Sequence, residues 1–177
     1  MDATHIHLIL THFPIVGTFI GLLVMIYGLY AKNEEVQKTA LAIFILMALF
    51  TIPVYLSGEQ AEETVEHLPG MSERFIENHE ELAEKAVLLM GLLGFVSLLT
   101  FMAIVRNFSS LKTLKLITFV VSLATAGLFA KVGNLGGQIR HTEIRANHIN
   151  QSGGIFSGDE SEEHEEHEEH EKHHDID

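Results

Sequence analysis

Apolar residues occur along the chain in four long blocks that are separated by short polar segments. Each block approaches the roughly 20 residues that a helix needs to cross about 30 Å of hydrocarbon. The apolar residues are concentrated in these blocks instead of forming the periodic face of a soluble helix. The pattern predicts an all-α integral membrane four-helix bundle, with spans at residues 11–30, 39–57, 83–105 and 112–133.

The basic residues near the spans predict the orientation of the bundle. Lys32 and Lys38 lie between the first two spans, and Arg106 and Lys112 lie between the last two. The N-terminus has no basic residue and the central loop has only Arg74, although Lys131, Arg140 and Arg145 follow span four. Because basic residues are enriched in cytoplasmic loops, we expect both termini to be extracytoplasmic in a bacterial inner (cytoplasmic) membrane.

Turn and capping signals predict where the helices begin and end. Thr11 fits an N-cap that would place Pro14 in the first turn of span one, and Pro53 should kink span two. Residues 57–68 fit a short amphipathic interfacial helix that ends at a Leu-Pro-Gly sequence. A further helix is expected to begin after Ser72 and to continue without a break into span three.

Small residues recur in the spans at helix-packing intervals, and the favoured interpretation is close helix contact. A glycine face against a porphyrin edge is the alternative. These residues are Gly17, Gly21 and Gly28 in span one, Gly91, Gly94 and Ser97 in span three, and Thr118, Ser122 and Thr125 in span four.

Composition excludes several classes of protein. The chain has no cysteine, which excludes disulfides, thiolate metal sites and iron–sulfur clusters. The net charge is −13, and residues 159–177 contribute −10 of it, because they hold eleven acidic residues and one lysine. Neither part of the chain has the basic surface that a nucleic-acid partner requires. We therefore divide the chain into a bundle at residues 1–145 and a disordered acidic, His-rich tail at residues 146–177.

Histidines lie near those ends of the spans that share the outer side of the membrane. Imidazole is costly in hydrocarbon unless it is paired or ligated, so several of these rings at one level of a bundle indicate a metal or haem site. The residues in this group are His5, His7, His12, His79 and His141.

His12 and His79 are the candidate axial ligands of a haem b. His79 shares a helical face with Leu82 and Ala86, so it should face the bundle, and the positive end of the helix dipole should keep His12 neutral. His7, His141, Glu59 and Gln138 would support this pair or offer a second ligand pair. The alternatives are a hydrogen-bonded core histidine at His79 and an interfacial cap at His12.

The tail repeats a Glu-Glu-His pattern that can chelate metal. Imidazoles every three residues between carboxylates suit zinc, nickel or copper. A solubilising tail without a selected metal is the alternative interpretation. The candidate ligands are His164, His167, His170, His173 and His174.

Four sequence motifs together resemble a widespread bacterial family of uncharacterised four-span membrane proteins. The motifs are HIHLILTHFPI, SGEQA, NHEELA and LGGQIRHTEI, and the resemblance covers roughly residues 5–145. Some members are fused to Rieske or cytochrome c modules, which implies a redox setting. The chain differs from the family at Arg140 and His141. The recurrent polar positions of the family correspond to His7, His12, Gly58, His79, Gly136 and Gly137.

The leading hypothesis is a membrane haem b protein that transfers electrons, and a redox carrier or subunit is favoured over a stand-alone enzyme. Its expected partners are the bilayer, a quinol or a periplasmic cytochrome, and a respiratory complex or a homo-oligomer. The second hypothesis is a protein that binds or senses a divalent transition metal such as zinc or copper. The third is a non-catalytic assembly subunit whose histidines line a polar interface.

Overall fold

The computed structural model describes residues 3–66 and 73–140, and all of them except two short turns are helical. Each of the four helices contains a segment that is long and apolar enough to cross a membrane. This confirms the all-α, four-span prediction for these residues. The helices are α1 (Ala3–Tyr30), α2 (Glu34–Glu66), α3 (Glu73–Val105) and α4 (Leu111–Arg140).

The four helices form a ring in chain order. α1 packs against α2 and α4, and α3 packs against the same two helices, so α1 and α3 face each other across the interior. Across this interior, the Thr18 hydroxyl of α1 lies 3.6 Å from the Met90 sulfur of α3. The beginnings of α1 and α3 and the ends of α2 and α4 lie together at one end, which we call the histidine end; the opposite end carries both turns.

The α1–α2 and α3–α4 hairpins close in the same way. The amide of Asn33 donates to the Gly28 carbonyl at 3.0 Å, and the amide of Phe108 donates to the Ala103 carbonyl at 3.0 Å. Both are the long hydrogen bond of a Schellman turn, which requires one residue in a left-handed conformation. Those residues are Lys32 (φ 51°) and Asn107 (φ 53°). The chain therefore contains two helical hairpins that close with the same type of turn.

Small residues allow the helices to approach closely. A methyl group at Gly21 would lie 2.7 Å from the Phe44 ring, and one at Gly94 would overlap the Ala48 side chain. The predicted role of glycines in close packing is confirmed at these two positions and also at Gly17 and Gly28. It is wrong for Gly91, where an added methyl group meets nothing within 4 Å.

The interior contains many hydroxyl groups among its apolar side chains. Most of them donate to a backbone carbonyl one turn earlier, as Thr118 does to Leu114 at 2.9 Å. Thr100 and Thr118 also form a hydroxyl–hydroxyl hydrogen bond of 2.8 Å between α3 and α4. These contacts satisfy hydroxyl groups away from water. The buried hydroxyl residues are Thr18, Thr51, Ser97, Thr100, Thr118, Ser122 and Thr125.

Two helix boundaries differ from the sequence prediction. α1 begins at Ala3, so Pro14 lies inside the helix, and Thr11 is no N-cap: its hydroxyl donates to the His7 carbonyl at 3.0 Å. A proline removes only one backbone donor, and membrane helices tolerate that loss. The helix therefore continues to both sides of Pro14.

The separate interfacial helix predicted after Ser57 is also wrong as far as Glu66, because α2 is continuous over these residues. The Ser57 hydroxyl donates backwards to the Val54 carbonyl at 2.9 Å, as a serine inside a helix does, and caps nothing. Pro53 is contained within α2. The predicted uninterrupted helix from residue 73 into span three is confirmed by α3.

Candidate functional site

His7 is held against the end of α2 by one ring nitrogen. Its Nδ1 lies 3.1 Å from the Val54 carbonyl oxygen and 3.1 Å from the Ser57 hydroxyl oxygen. A carbonyl oxygen can only accept a hydrogen bond, so Nδ1 carries the proton and donates it. The Nε2 atom of the neutral ring therefore keeps its lone pair, which is the form that ligates a metal.

Gly58 lets the His7 ring lie close to the α2 backbone. A methyl group at Gly58 would lie 3.3 Å from Cε1 and 3.7 Å from Nδ1 of the ring. The first distance is shorter than an ordinary van der Waals contact between carbon atoms. A larger residue at this position would therefore push the imidazole away from the two oxygens that hold it.

His79 occupies the equivalent place in the second hairpin. Its ring packs on Gly136 of α4, where a methyl group would lie 3.2 Å from Cε1 and 3.6 Å from Nδ1. The Val132 carbonyl interacts with the ring, yet the buried Nδ1 atom has no partner at hydrogen-bonding geometry among the described residues. His79 thus faces the inside of the bundle, as its sequence pattern predicted.

The two imidazoles lie on facing helices at the histidine end of the bundle. His7 and His79 lie on opposite helices of the ring and are near enough to interact electrostatically. Each ring lies beside a glycine and the carbonyl of the valine four residues before it. Each hairpin therefore contributes one imidazole to the histidine end, and the two rings have the same types of neighbour.

Amide side chains lie beside this pair on α4. Gln138 is buried, at 5% exposure, and its Nε2 donates to the Asn134 side-chain oxygen. Gln138 follows Gly136 by two residues, so it is at the level of the His79 ring. Gln138 therefore lies at the histidine end, and its predicted place at the outer mouth of the bundle stays a prediction.

His12 is arranged differently from His7 and His79. Its side chain is exposed, and its Nδ1 donates to the Leu8 carbonyl of its own helix at 2.6 Å. Within the described residues, the histidine that interacts electrostatically with His79 is His7. The pairing of His12 with His79 stays a prediction, while His7 and His79 are brought together. His5 is exposed as well.

Several predicted site residues lie outside what the structure describes. They are the side chain of Glu59, all of His141, and the tail residues His164, His167, His170, His173 and His174. Within the described residues, no group of three or more histidine and acidic side chains is arranged to hold a metal ion. The described part of the site thus consists of two imidazoles and the polar groups around them.

The sequence ranks His7 below His12 as a ligand, because Pro14 predicts a helix that begins after His7. A usable signal was present in the sequence. A valine precedes a glycine by four residues at Val54 and Gly58 and again at Val132 and Gly136, and a histidine lies near the beginning of the preceding span in each case.

Comparisons with known protein families, curated proteins and solved structures give no match to this chain.

Proposed function

We propose that the histidine end binds haem b through Nε2 of His7 and Nε2 of His79, and that the protein carries electrons within the membrane. The observation that carries the proposal is the similar placement of the two rings, each against a glycine of the neighbouring helix, with Nδ1 of His7 donating to the Val54 carbonyl. Histidines that bind metals usually direct the other ring nitrogen to a carbonyl or carboxylate in this way. Two neutral imidazoles from facing helices are a suitable axial ligand pair.

The residues around the rings fit such a group. Gly58 and Gly136 let each imidazole lie against a helix backbone, and both histidines are partly buried. A bound haem would supply reversible one-electron chemistry, while the protein would set its ligation and surroundings. With both imidazoles as its ligands, the group would carry electrons.

The proposed setting is a bacterial inner membrane with the histidine end outside. The basic residues of the two turns favour this orientation. A site at the outer rim of the bundle could receive electrons from a membrane quinol and pass them to a periplasmic cytochrome. The redox setting that the sequence resemblance implies agrees with these partners, either as a respiratory complex or as a homo-oligomer.

The second candidate is a divalent metal site at the same two imidazoles. The Gln138 amide favours it, because this buried side chain brings an oxygen atom to the same end of the bundle. Zinc and copper accept imidazole ligands, and oxygen donors can complete their coordination. The tail histidines would then collect the same metal outside the bundle.

One purification separates these candidates. The full chain is extracted in mild detergent, a reduced-minus-oxidised spectrum is recorded, and zinc and copper are measured. We expect sharp haem b bands that are lost in His7→Ala and His79→Ala and kept in His12→Ala, which is the matched control. Bands lost in His12→Ala and kept in His7→Ala would instead restore the pairing of His12 with His79. A colourless protein that retains zinc or copper would overturn the haem proposal in favour of the second candidate.

A further inference from the structure

The two hairpins differ at the residue before the glycine that supports each imidazole. Ser57 precedes Gly58, and Leu135 precedes Gly136. The Ser57 hydroxyl lies 3.1 Å from Nδ1 of His7 and also donates to the Val54 carbonyl. Leu135 is at the equivalent position, and its side chain has no atom that can form a hydrogen bond with His79.

The hydrogen bonds of the two imidazoles show the same difference. Nδ1 of His7 has two oxygen atoms within 3.1 Å. Nδ1 of His79 is buried and has no hydrogen-bond partner in the described part of the chain. His7 is therefore fixed in orientation, while His79 is held mainly by packing.

A hydrogen bond to the second ring nitrogen orients a histidine ligand and makes it a stronger donor. Loss of such a bond typically weakens metal binding by about 10- to 100-fold. With equal access to an iron, the His79 bond should therefore be the weaker of the two. The weaker ligand is the one that leaves when a competing molecule arrives.

We propose that His7 is the permanent ligand and His79 the exchangeable one, so that the site can admit a small uncharged molecule in place of His79. This inference rests on the proposed haem site and extends it from electron transfer to the binding of diatomic ligands. The difference between the two ligands follows from a difference between the two hairpins, since one has Ser57 and the other has Leu135 at the equivalent position.

The first test uses the protein without added haem. In the full chain labelled with ¹⁵N-histidine, we expect the ring N–H proton of His7 to exchange slowly with solvent and the ring N–H proton of His79 to exchange at least tenfold faster. Leu135→Ser should slow the exchange at His79, whereas Leu135→Ala, which removes a similar volume and adds no hydroxyl, should not. Equal exchange at the two wild-type rings would overturn the proposal.

The second test uses the reduced haem protein and carbon monoxide as the probe. The wild type should bind carbon monoxide, and Leu135→Ser should bind it about 10-fold more weakly than Leu135→Ala. A wild type that keeps its haem and fails to bind carbon monoxide, or equal affinities in the two variants, would overturn the exchangeable ligand alone. A protein that retains no haem would overturn the proposed function as well.

Discussion

Each imidazole of the pair depends on a neighbouring residue that has no side chain. Gly58 and Gly136 leave about the room that the rings need, since a single methyl group would come within 3.3 Å and 3.2 Å of them. In the middle of a helix, glycine is otherwise less favourable than alanine by roughly 0.5–1 kcal/mol. The rings are a reason for tolerating this cost at these two positions.

Gly136→Ala should therefore move His79 by a few tenths of an ångström and weaken haem binding, by about tenfold if the ring loses its alignment. Gly137→Ala is the matched control, because an added methyl group there meets nothing within 4 Å. Titration of haem into each purified variant measures the affinity. Equal affinities in the two alanine variants would show that Gly136 has no role in placing the ring.

At this scale the sequence predicted the inward face of His79, because its apolar neighbours recur at helical intervals. It did not predict the partner of His79. That choice depended on whether α1 continues through Pro14, and local propensity cannot determine this when packing against α2 and α4 compensates for a lost backbone donor. The contrast between Ser57 and Leu135 has meaning only once their hairpins are superimposed.

At the scale of helices, Gly94 allows α3 to lie close to α2. Gly94 lies directly against Ala48, whereas Gly91 of the same helix faces open space. Gly94→Ala should lower the free energy of unfolding by about 1–3 kcal/mol, because the helices must separate to admit the methyl group. Gly91→Ala should leave this free energy unchanged or raise it by up to about 1 kcal/mol. Unfolding of both variants in mixed micelles with increasing denaturing detergent provides the comparison, and a Gly94→Ala protein as stable as Gly91→Ala would contradict it.

The number and approximate positions of the helices could be predicted from the sequence, since the length of an apolar block reflects the thickness of the membrane. Their ends were less predictable. α2 continues past Ser57 as far as Glu66 because the residues that follow Gly58 include several good helix formers and no proline. A serine such as Ser57 can cap a helix or lie inside one, and only its hydrogen-bond partner distinguishes the two cases.

At the scale of the whole molecule, the two turns should share one side of the membrane and the histidine end the other. The chain has no cysteine, so single cysteines can report this directly. We expect Lys32→Cys and Ser109→Cys to be protected from a membrane-impermeant maleimide in intact spheroplasts, and His5→Cys to be labelled. Labelling of all three after the membrane is permeabilised is the control, and the opposite pattern would reverse the proposed orientation.

The distribution of side chains also determines how this bundle is stabilised. Large apolar residues such as Leu88 and Leu23 are 75% and 66% exposed, while threonine, serine and glycine occur inside. Separating the helices within a lipid phase would transfer little apolar surface into water, and such transfer is the origin of the heat capacity change when soluble proteins unfold. The enthalpy of helix separation in micelles should therefore vary only weakly with temperature, and calorimetry at several temperatures would measure it. Close packing, and not the expulsion of water, would then be the main force that keeps His7 and His79 opposite each other.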